Sequence, residues 1–360
     1  MDGSYTALEP LPVSRRHVEN CRYSNWYHLF PGHVPLSRVI KPLPAEFVRY
    51  LEQDGIRLPD PEQVKSFYTQ GVVGDEENEY SDWSENEEDE SSSEKAETMD
   101  PLKDFPELHE TIGSIIRELG AVAPKLNWSA PRDATWILPN NTMKCSEINE
   151  LYLLLNASNY ISFDLQHGFD ECADEGDDSE GAEFELVLRQ WFDINPALEF
   201  RVFVKDGRLL GVSQRDLNYY SFLEPLVEDF KDVIDEFVSD VFLTKFTEKA
   251  CVLDVYIPRP FNKLYLIDIN PFSRTTDSLL FSWNELLSED TDGECDYELR
   301  IVSENNVGRF ASKEHSENQV PKDIVDASLD PESIRELTEK WRDLLRHQEA
   351  EDSDGSEKLD

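Results

Sequence analysis

The stretch "LYLIDINPF", residues 264–272, is an alternating apolar segment that ends at a proline. Asp268 and Asn270 stand two positions apart in it, so on a β-strand both side chains point to one face of the sheet. The stretch "ACVLDVYI", residues 250–257, has the same character, and only a short proline-containing turn separates the two. The sequence therefore predicts a β-hairpin with polar side chains near the end of its second strand.

The predicted hairpin brings acidic side chains together. If residues equally far from the turn pair, Ile257 faces Tyr265 and Asp254 faces Asp268, about 5 Å apart across the strands. Asp254, Asp268 and Asn270 then share one face. Two such carboxylates repel unless a cation joins them, and an all-oxygen ligand set suits Mg²⁺. The alternative is that they are ordinary strand-end aspartates in solvent or in hydrogen bonds.

Basic residues interrupt three apolar stretches. They are Lys125 in "APKLNW", Arg189 in "VLRQW" and Arg201 in "EFRVF", and we expect the two arginines on adjacent strands. A cation inside a strand usually meets an anion, and a nucleotide triphosphate with its metal would serve all three. The alternative is separate salt bridges to the many acidic residues, or snorkelling.

Composition limits the class of protein. The 360 residues are 39% hydrophobic and carry a net charge of −42, concentrated in four segments at 72–100, 170–185, 289–298 and 348–360. The acidic surface disfavours nucleic acid and anionic membranes as partners, and no apolar run is long enough for a membrane span. The five scattered cysteines form no CxxC pair. A reduced cytosolic or nuclear protein is the simplest interpretation, and of these we expect a cytoplasmic monomer.

The order of predicted elements indicates an α+β fold. Early helices precede two β-hairpins with a helical stretch, residues 217–246, between them, and a final helix follows. Asp206-Gly207 marks the turn of the first hairpin, Ser146 is the expected N-cap of a helix, and Gly120 ends another. The predicted regions are 1–70, a helical part of a first lobe; 71–103, an acidic disordered loop; 104–183, the rest of that lobe with an acidic insertion at 170–183; 184–328, a second lobe; 329–347, a helix; and 348–360, an acidic disordered tail.

Motifs of several nucleotide-binding classes are absent from the sequence. There is no GxxxxGK[ST], no GxGxxG and no HRD with DFG, which argues against P-loop, Rossmann and protein-kinase folds.

Four blocks of sequence resemble a known family. "KLNWSAPRDATWI", "LVLRQW" with "NPALEFRVFV", "RPFNKLYLIDINPF" and "RFASKEHSENQVP" are similar to the cell division cycle protein 123 family. That family is similar to ATP-grasp proteins, whose mainly antiparallel sheets hold ATP and Mg²⁺ between two lobes. The resemblance also implies a role as an assembly chaperone of eukaryotic translation initiation factor 2, acting through the gamma subunit of that factor.

The resemblance implies roles for particular positions. Lys125 and Arg201 match residues that reach phosphates, and Asp254, Asp268 and Asn270 match magnesium ligands. The other implied ATP-binding residues are Trp128, Ala130 and Asp133 in the loop after Lys125, and Arg189, Gln190, Trp191 and Asp193 on and beyond the strand that meets adenine and the sugar.

Three functions are compatible with the sequence. The first is an ATP- and Mg²⁺-binding chaperone, the second an ATP-grasp ligase that activates an unknown carboxylate, and the third an acidic scaffold with structural aspartates. ATP-grasp enzymes cover the phosphates with a glycine-rich loop, whereas this chain has the acidic stretch "HGFDECADEGDDSEGAE". We therefore expect the chaperone rather than an enzyme.

Overall fold

The computed structural model describes residues 11, 13–53, 58, 100–170, 172–174, 183–288 and 297–303. The chain divides into two compact units. The N-terminal unit is Pro12–Asp193, and the C-terminal unit is Met1–Leu11 together with Ile194–Asp360. Both contain helices and sheets, so the predicted α+β class is confirmed. The division falls ten residues after the predicted boundary at 184, which places the strand in "LVLRQ" with the residues before it.

The N-terminal unit is a three-stranded antiparallel sheet with helices. The strands stand in the order β1-β3-β2. The elements are α1 Arg15–Asn20, α2 Tyr23–Trp26, β1 Ser37–Ile40, α3 Ala45–Glu52, α4 Pro101–Asp104, α5 Pro106–Leu119, β2 Val122–Lys125, α6 Ile148–Ala157, α7 Asn159–Gln166 and β3 Leu186–Gln190, with 3-10 turns at Tyr27–Leu29 and Arg132–Ile137.

Helix α5 shows how sequence determines the elements of this unit. Proline stands at its first position and Gly120, with φ +83°, ends it as predicted. Its apolar residues Leu108, Ile112 and Ile116 are buried, as the helical spacing requires. They belong to a core that also contains an aromatic cluster, whose rings Phe47, Phe105, Tyr50 and Tyr152 lie 5.2 to 6.4 Å apart. A fully buried ring of this kind contributes about 1.5–3 kcal/mol.

Two predictions in this unit are wrong in detail. The N-cap of α6 is Glu147 and not Ser146, because Glu147 and Glu150 bind each other's backbone in a capping box. The acidic loop predicted at 71–103 ends earlier, since α4 begins at Pro101 with Asp100 as its N-cap. Residues 71–99 and most of the acidic insertion lie outside the described residues.

The C-terminal unit is built on a five-stranded sheet in the order β7-β6-β4-β5-β8. All neighbouring strands are antiparallel except β5 and β8, which are parallel. The elements are β4 Glu199–Lys205, β5 Arg208–Gln214, α8 Val227–Glu236, β6 Cys251–Tyr256, β7 Tyr265–Pro271, α9 Trp283–Ser288 and β8 Glu298–Arg300, with 3-10 turns at Pro196–Leu198 and Glu224–Leu226 and a π-helix at Phe237–Phe242.

Both predicted hairpins of this unit are present. Asp206 and Gly207 join β4 to β5 with φ values of +53° and +73°, the backbone of a type I′ turn that an Asp-Gly pair favours. In the second hairpin Asp254 pairs with Asp268 as predicted.

The turn end of the second hairpin differs from the prediction. Tyr265 pairs with Tyr256 and not with Ile257, because a β-bulge between Asp254 and Val255 shifts the register by one residue. The predicted pairing therefore holds only on the side of the bulge where the aspartates lie.

Two further expectations for this region are wrong. Residues 217–246 are not continuously helical, because the stretch begins with turns before Val227 and α8 passes into the π-helix. Arg189 and Arg201 are not on adjacent strands, since β3 and β4 belong to different sheets and a 3-10 turn at Pro196–Leu198 intervenes. The predicted helix 329–347 and tail 348–360 lie outside the described residues. Within the part that is described, no helix has the length and apolar character needed to cross a bilayer.

Candidate functional site

A row of polar residues crosses the five-stranded sheet from edge to edge. Backbone pairing places Asp268 of β7 beside Asp254 of β6, Asp254 beside Arg201 of β4, Arg201 beside Ser213 of β5, and Ser213 beside Arg300 of β8. Directly paired residues project to the same face of a sheet. The period-two pattern of five separate strands thus brings five polar side chains into one line across the sheet.

The centre of this row is a buried ion pair. The Nε and Nη2 atoms of Arg201 donate to the two carboxylate oxygens of Asp254 at 2.8 and 2.9 Å. Both residues are under 10% exposed. Nη1 of Arg201 also donates to the carbonyl oxygen of Asp277 at 2.8 Å. Arg201 was predicted to face phosphate and Asp254 to hold a metal, and in this structure they bind each other.

Arg215 is a second guanidinium at the same carboxylate, and it was not among the predicted site residues. Its Nε lies 3.3 Å from Oδ2 of Asp254. Burial lowers the pKa of Arg215, but the attraction of Asp254, then Glu199 and finally Asp268 outweighs this effect and leaves the pKa raised. Its position two residues after Ser213, directly beyond the end of the strand that pairs with Arg201, was the available signal. The cation required by the paired aspartates is thus supplied, for Asp254, by two arginines.

Asp268 and Asn270 form the edge end of the row. Oδ1 of Asp268 accepts a hydrogen bond from the backbone N–H of Ile269 at 3.0 Å. Nδ2 of Asn270 is buried and has no hydrogen-bond partner in the structure. No group of three His, Cys, Asp or Glu side chains suited to a metal occurs among the described residues. A metal here would therefore rely on the amide oxygen of Asn270 beside two carboxylates.

The N-terminal unit holds a second cluster, around Lys125. This lysine ends β2, is fully buried, and donates from Nζ to the carbonyl oxygen of Trp128. The turn between them is closed by a hydrogen bond from the Leu126 N–H to the Ser129 carbonyl, 2.8 Å. The Trp128 indole donates to the Val18 carbonyl oxygen at 2.8 Å. Lys125 and Trp128 were both predicted to bind ATP, and the structure brings them into contact.

Asp164 of α7, which the sequence analysis did not select, holds this turn. It accepts hydrogen bonds from the N–H groups of Trp128 and Ser129 at 3.0 and 2.8 Å and from the Ser129 hydroxyl at 2.7 Å. Burial raises the pKa of Asp164, while the hydrogen bonds and the charge of Lys125 act in the opposite direction. An acidic residue inside "YISFDLQ" was the only signal in the sequence.

Ala130 and Asp133 follow this turn. The Ala130 carbonyl accepts from the Arg132 N–H at 2.7 Å. The two oxygens of Asp133 accept from the Ser158 hydroxyl at 2.6 Å and the Asn159 N–H at 2.7 Å, at the start of α7. Asp133 thus joins the 3-10 turn to α7 in this structure.

The remaining predicted residues lie on and after β3. Arg189 is buried and pairs with Ser37 and Ala123 on the two neighbouring strands. The Gln190 N–H donates to the Leu36 carbonyl at 2.7 Å, and the Trp191 N–H donates to the Ala121 carbonyl at 2.9 Å.

Asp193 accepts a hydrogen bond from the Trp191 indole N–H at 3.1 Å. The predicted ATP-binding residues from Lys125 to Asp193 all lie in the N-terminal unit. Arg201, Asp254, Asp268 and Asn270 lie in the C-terminal unit.

Comparison with known proteins gives consistent results. The D123 family model matches residues 26–328. A Candida glabrata relative named "Cell division cycle protein 123" is 61% identical, with 98% of this chain and 99% of the relative covered. A Vanderwaltozyma polyspora relative named "Translation initiation factor eIF2 assembly protein" is 59% identical, with 99% of both covered.

A solved structure supports the same assignment. The structure of Cdc123 from Schizosaccharomyces pombe is 34% identical, has a TM-score of 0.64, and covers 80% of this chain and 98% of its own. The resemblance noted in the sequence is thereby confirmed. The chain belongs to the D123 family, the family of the cell division cycle protein 123 relatives.

Proposed function

We propose that this chain binds ATP with Mg²⁺ and promotes assembly of eukaryotic translation initiation factor 2 by binding its gamma subunit. The observation that carries the assembly role is the 59% identity, over 99% of both chains, to a relative named as an assembly protein of that factor. The gamma subunit and the nucleotide come from the family resemblance. Each requires its own experiment.

The proposed ATP-binding residues lie around Lys125, on and after β3, and, for Arg201, in the polar row. They are Lys125, Trp128, Ala130, Asp133, Arg189, Gln190, Trp191, Asp193 and Arg201. Support comes from Lys125 and Arg201, which are buried cations on strands. A buried cation that can exchange a protein oxygen for a phosphate oxygen makes a strong, charge-assisted hydrogen bond. Lys125 now donates to a neutral carbonyl, which binds an ammonium less strongly than a phosphate does.

The edge of the polar row fits a magnesium ion. Asp268 and Asn270 offer oxygen atoms on one strand face, and the Nδ2 atom of Asn270 is buried without a hydrogen-bond partner. Asp254 is the third proposed ligand, and it would exchange a guanidinium contact for the metal. Bound Mg²⁺ would offset the negative charge of the phosphates. Proteins usually hold such an ion with only one or two carboxylates, and phosphate oxygens and water complete its coordination.

Binding of nucleotide and partner would be linked through the fold. A ligand that binds only the folded, ordered form stabilises that form, and with it any surface that the form presents to a protein. The acidic chain, with net charge −42, would associate faster with a basic face of gamma, and the rate would fall as salt rises. The buried free cysteines Cys21, Cys145 and Cys251 suit the reducing cytoplasm, where we place the protein as a monomer.

Calorimetry with and without Mg²⁺ tests the nucleotide site. Replacing Asp268 by Asn should weaken ATP binding by about tenfold or more in Mg²⁺ and much less in EDTA, since only the metal-assisted part is lost. The matched control is Asp206→Asn in the β4–β5 turn, where asparagine tolerates a positive φ. Equal ATP affinity of Asp268→Asn and parent in Mg²⁺ would exclude the metal assignment.

Assembly of the initiation factor tests the chaperone role. Purified protein should bind the isolated gamma subunit, and its depletion from cells should lower the fraction of initiation factor 2 found as the complete heterotrimer. Re-expression of the parent chain is the control. An unchanged heterotrimer fraction after depletion contradicts the proposal.

A further inference from the structure

One peptide group links Lys125 to Asp164. The carbonyl oxygen of Trp128 accepts from the Lys125 ammonium, and the N–H at the other side of the same peptide bond, that of Ser129, donates to Asp164. A peptide group is planar, so fixing its N–H fixes the direction of its carbonyl. The carboxylate of Asp164 thereby sets where the oxygen that holds Lys125 points.

The surroundings of Asp164 hold the Trp128–Ser129 peptide group in a fixed orientation. Its carboxylate is 4% exposed and receives three hydrogen bonds from two consecutive residues. The helix that carries it, α7, is itself fixed at its start by Asp133. Beyond its end, Gly168 packs so closely on the Trp128 ring that an added Cβ would lie 2.7 Å from a ring carbon. The turn after β2 is thus held by Asp164 and by the residue Gly168 beyond the end of α7, while Asp133 fixes the start of that helix.

We propose that Asp164 is a positioning residue for phosphate binding, which it serves by orienting the Trp128–Ser129 peptide that holds Lys125. This inference rests on the proposed ATP site. The Trp128 carbonyl directs the Lys125 ammonium before ATP arrives, and a phosphate oxygen would be a stronger acceptor for that ammonium than a neutral carbonyl. Groups fixed in this way before binding lose less conformational freedom when the ligand binds.

The test compares ATP with adenosine, which lacks phosphates. The Asp164→Asn variant keeps the shape of the side chain. One carboxylate oxygen is replaced by an NH₂ group, which cannot accept the hydrogen bonds that Trp128 and Ser129 donate. ATP affinity, measured calorimetrically in Mg²⁺, should fall about tenfold, whereas adenosine affinity should change less than about twofold. The matched control is Asp170→Asn, an exposed aspartate just beyond α7 that contacts His167 and should leave both affinities unchanged.

A double-mutant cycle separates positioning from general stability. If Asp164 acts through Lys125, then Asp164→Asn has no further effect on ATP in a Lys125→Met background. The same tenfold loss in that background, or equal losses for ATP and adenosine, overturns the inference. The thermal midpoint of each ligand-free variant reports folding.

A milder variant covers the case in which Asp164→Asn does not fold. Ser129→Ala removes one of the three hydrogen bonds and should weaken ATP by about two- to threefold, with adenosine unchanged. An unchanged ratio of the two affinities in Ser129→Ala then overturns the inference. If the parent itself binds no ATP, the ATP site and this inference both fail. If the parent binds ATP and the variants keep the parent's ratio of ATP affinity to adenosine affinity, only the inference about Asp164 fails.

Discussion

At the scale of single residues, Asp254 has two roles, one in folding and one in the proposed metal site. It neutralises Arg201 and Arg215 in the ligand-free protein, and it is one of the three residues proposed to hold Mg²⁺. A buried carboxylate with two guanidinium partners contributes to folding whether or not a metal binds. Stability measured without nucleotide therefore isolates the first role.

We expect Asp254→Asn to lower the free energy of unfolding by about 3–5 kcal/mol, because it leaves the buried Arg201 and the partly buried Arg215 without their counter-charge. Chemical denaturation in EDTA measures this loss. The matched change Asp268→Asn, at a half-exposed edge position, should cost less than about 1 kcal/mol. If Asp254→Asn lost as little stability as Asp268→Asn, the Arg201–Asp254 ion pair would add little to the free energy of folding.

The residue-level site was predictable where it depends on local periodicity. The pairing of Asp254 with Asp268 follows from the symmetry of a hairpin, and the sequence contains both strands. Arg215 contacts Asp254, which is 39 positions away in the sequence. Asp164 contacts Ser129, which is 35 positions away. Such contacts depend on how strands and helices pack, which alternation of apolar residues along one element does not specify.

At the scale of elements, Gly211 of β5 lies tightly under an aromatic ring. A Cβ built there would lie 2.6 Å from the Phe281 ring. Gly211→Ala should therefore destabilise the protein by about 1–3 kcal/mol, the usual cost of overpacking, as measured by denaturant unfolding.

The control for Gly211 is a glycine inside α5. At Gly113 an added Cβ would meet only the flexible end of Ile148, at 2.9 Å. Alanine is favoured over glycine in a helix by about 0.5–1 kcal/mol, so Gly113→Ala should be neutral or stabilising. A Gly211→Ala protein as stable as this control would show that the Phe281 ring moves aside freely.

The packing of α5 on α6 predicts a pH dependence. Nδ1 of His109 lies 3.0 Å from the Tyr152 hydroxyl, and burial lowers the pKa of His109, against a smaller raising effect of Asp100. The unfolded chain therefore binds a proton more readily, so stability is lost as the pH falls from the ordinary histidine pKa of about 6.5 through the lower pKa of His109 in the folded protein.

The measurement is the difference between parent and His109→Gln, whose amide can keep the contact with Tyr152. On acidification from neutral pH the parent should lose more free energy of unfolding than the variant. Parallel pH profiles for the two proteins would contradict the assignment.

Elements were predictable when they carry their own signals. Helix α5 has a proline start, a regular apolar face and a glycine end, and the β4–β5 hairpin has its Asp-Gly turn. Strands β1 and β8, of four and three residues, were not predicted. Strands this short are defined by the partner they pair with, and their own sequence carries too few alternations to indicate them.

At the scale of the whole molecule, the division after Asp193 predicts an autonomous fragment. Residues 12–193 contain a complete core and all three strands of their sheet. We expect this fragment to unfold in one cooperative thermal transition, followed by near-UV circular dichroism.

The shorter fragment 12–183 is the control. It lacks β3, the central strand that pairs with both β1 and β2, and should not unfold cooperatively. A cooperative transition in the shorter fragment would favour the boundary predicted at 184. The sequence indicated two lobes but misplaced their boundary because β3 and β4 look alike as apolar strands, and only their pairing assigns them to different sheets.

The peptide group between Trp128 and Ser129 has a consequence for mutational studies of this family. The link from Lys125 to Asp164 passes through backbone atoms, which every amino acid except proline supplies alike. A saturation scan would therefore detect strong selection at the two ends, positions 125 and 164. At position 129 it would record the exclusion of proline, whose nitrogen has no hydrogen to donate, and a smaller effect of losing the hydroxyl that also donates to Asp164. Two positions 39 residues apart would then depend on each other through the peptide group that lies between them.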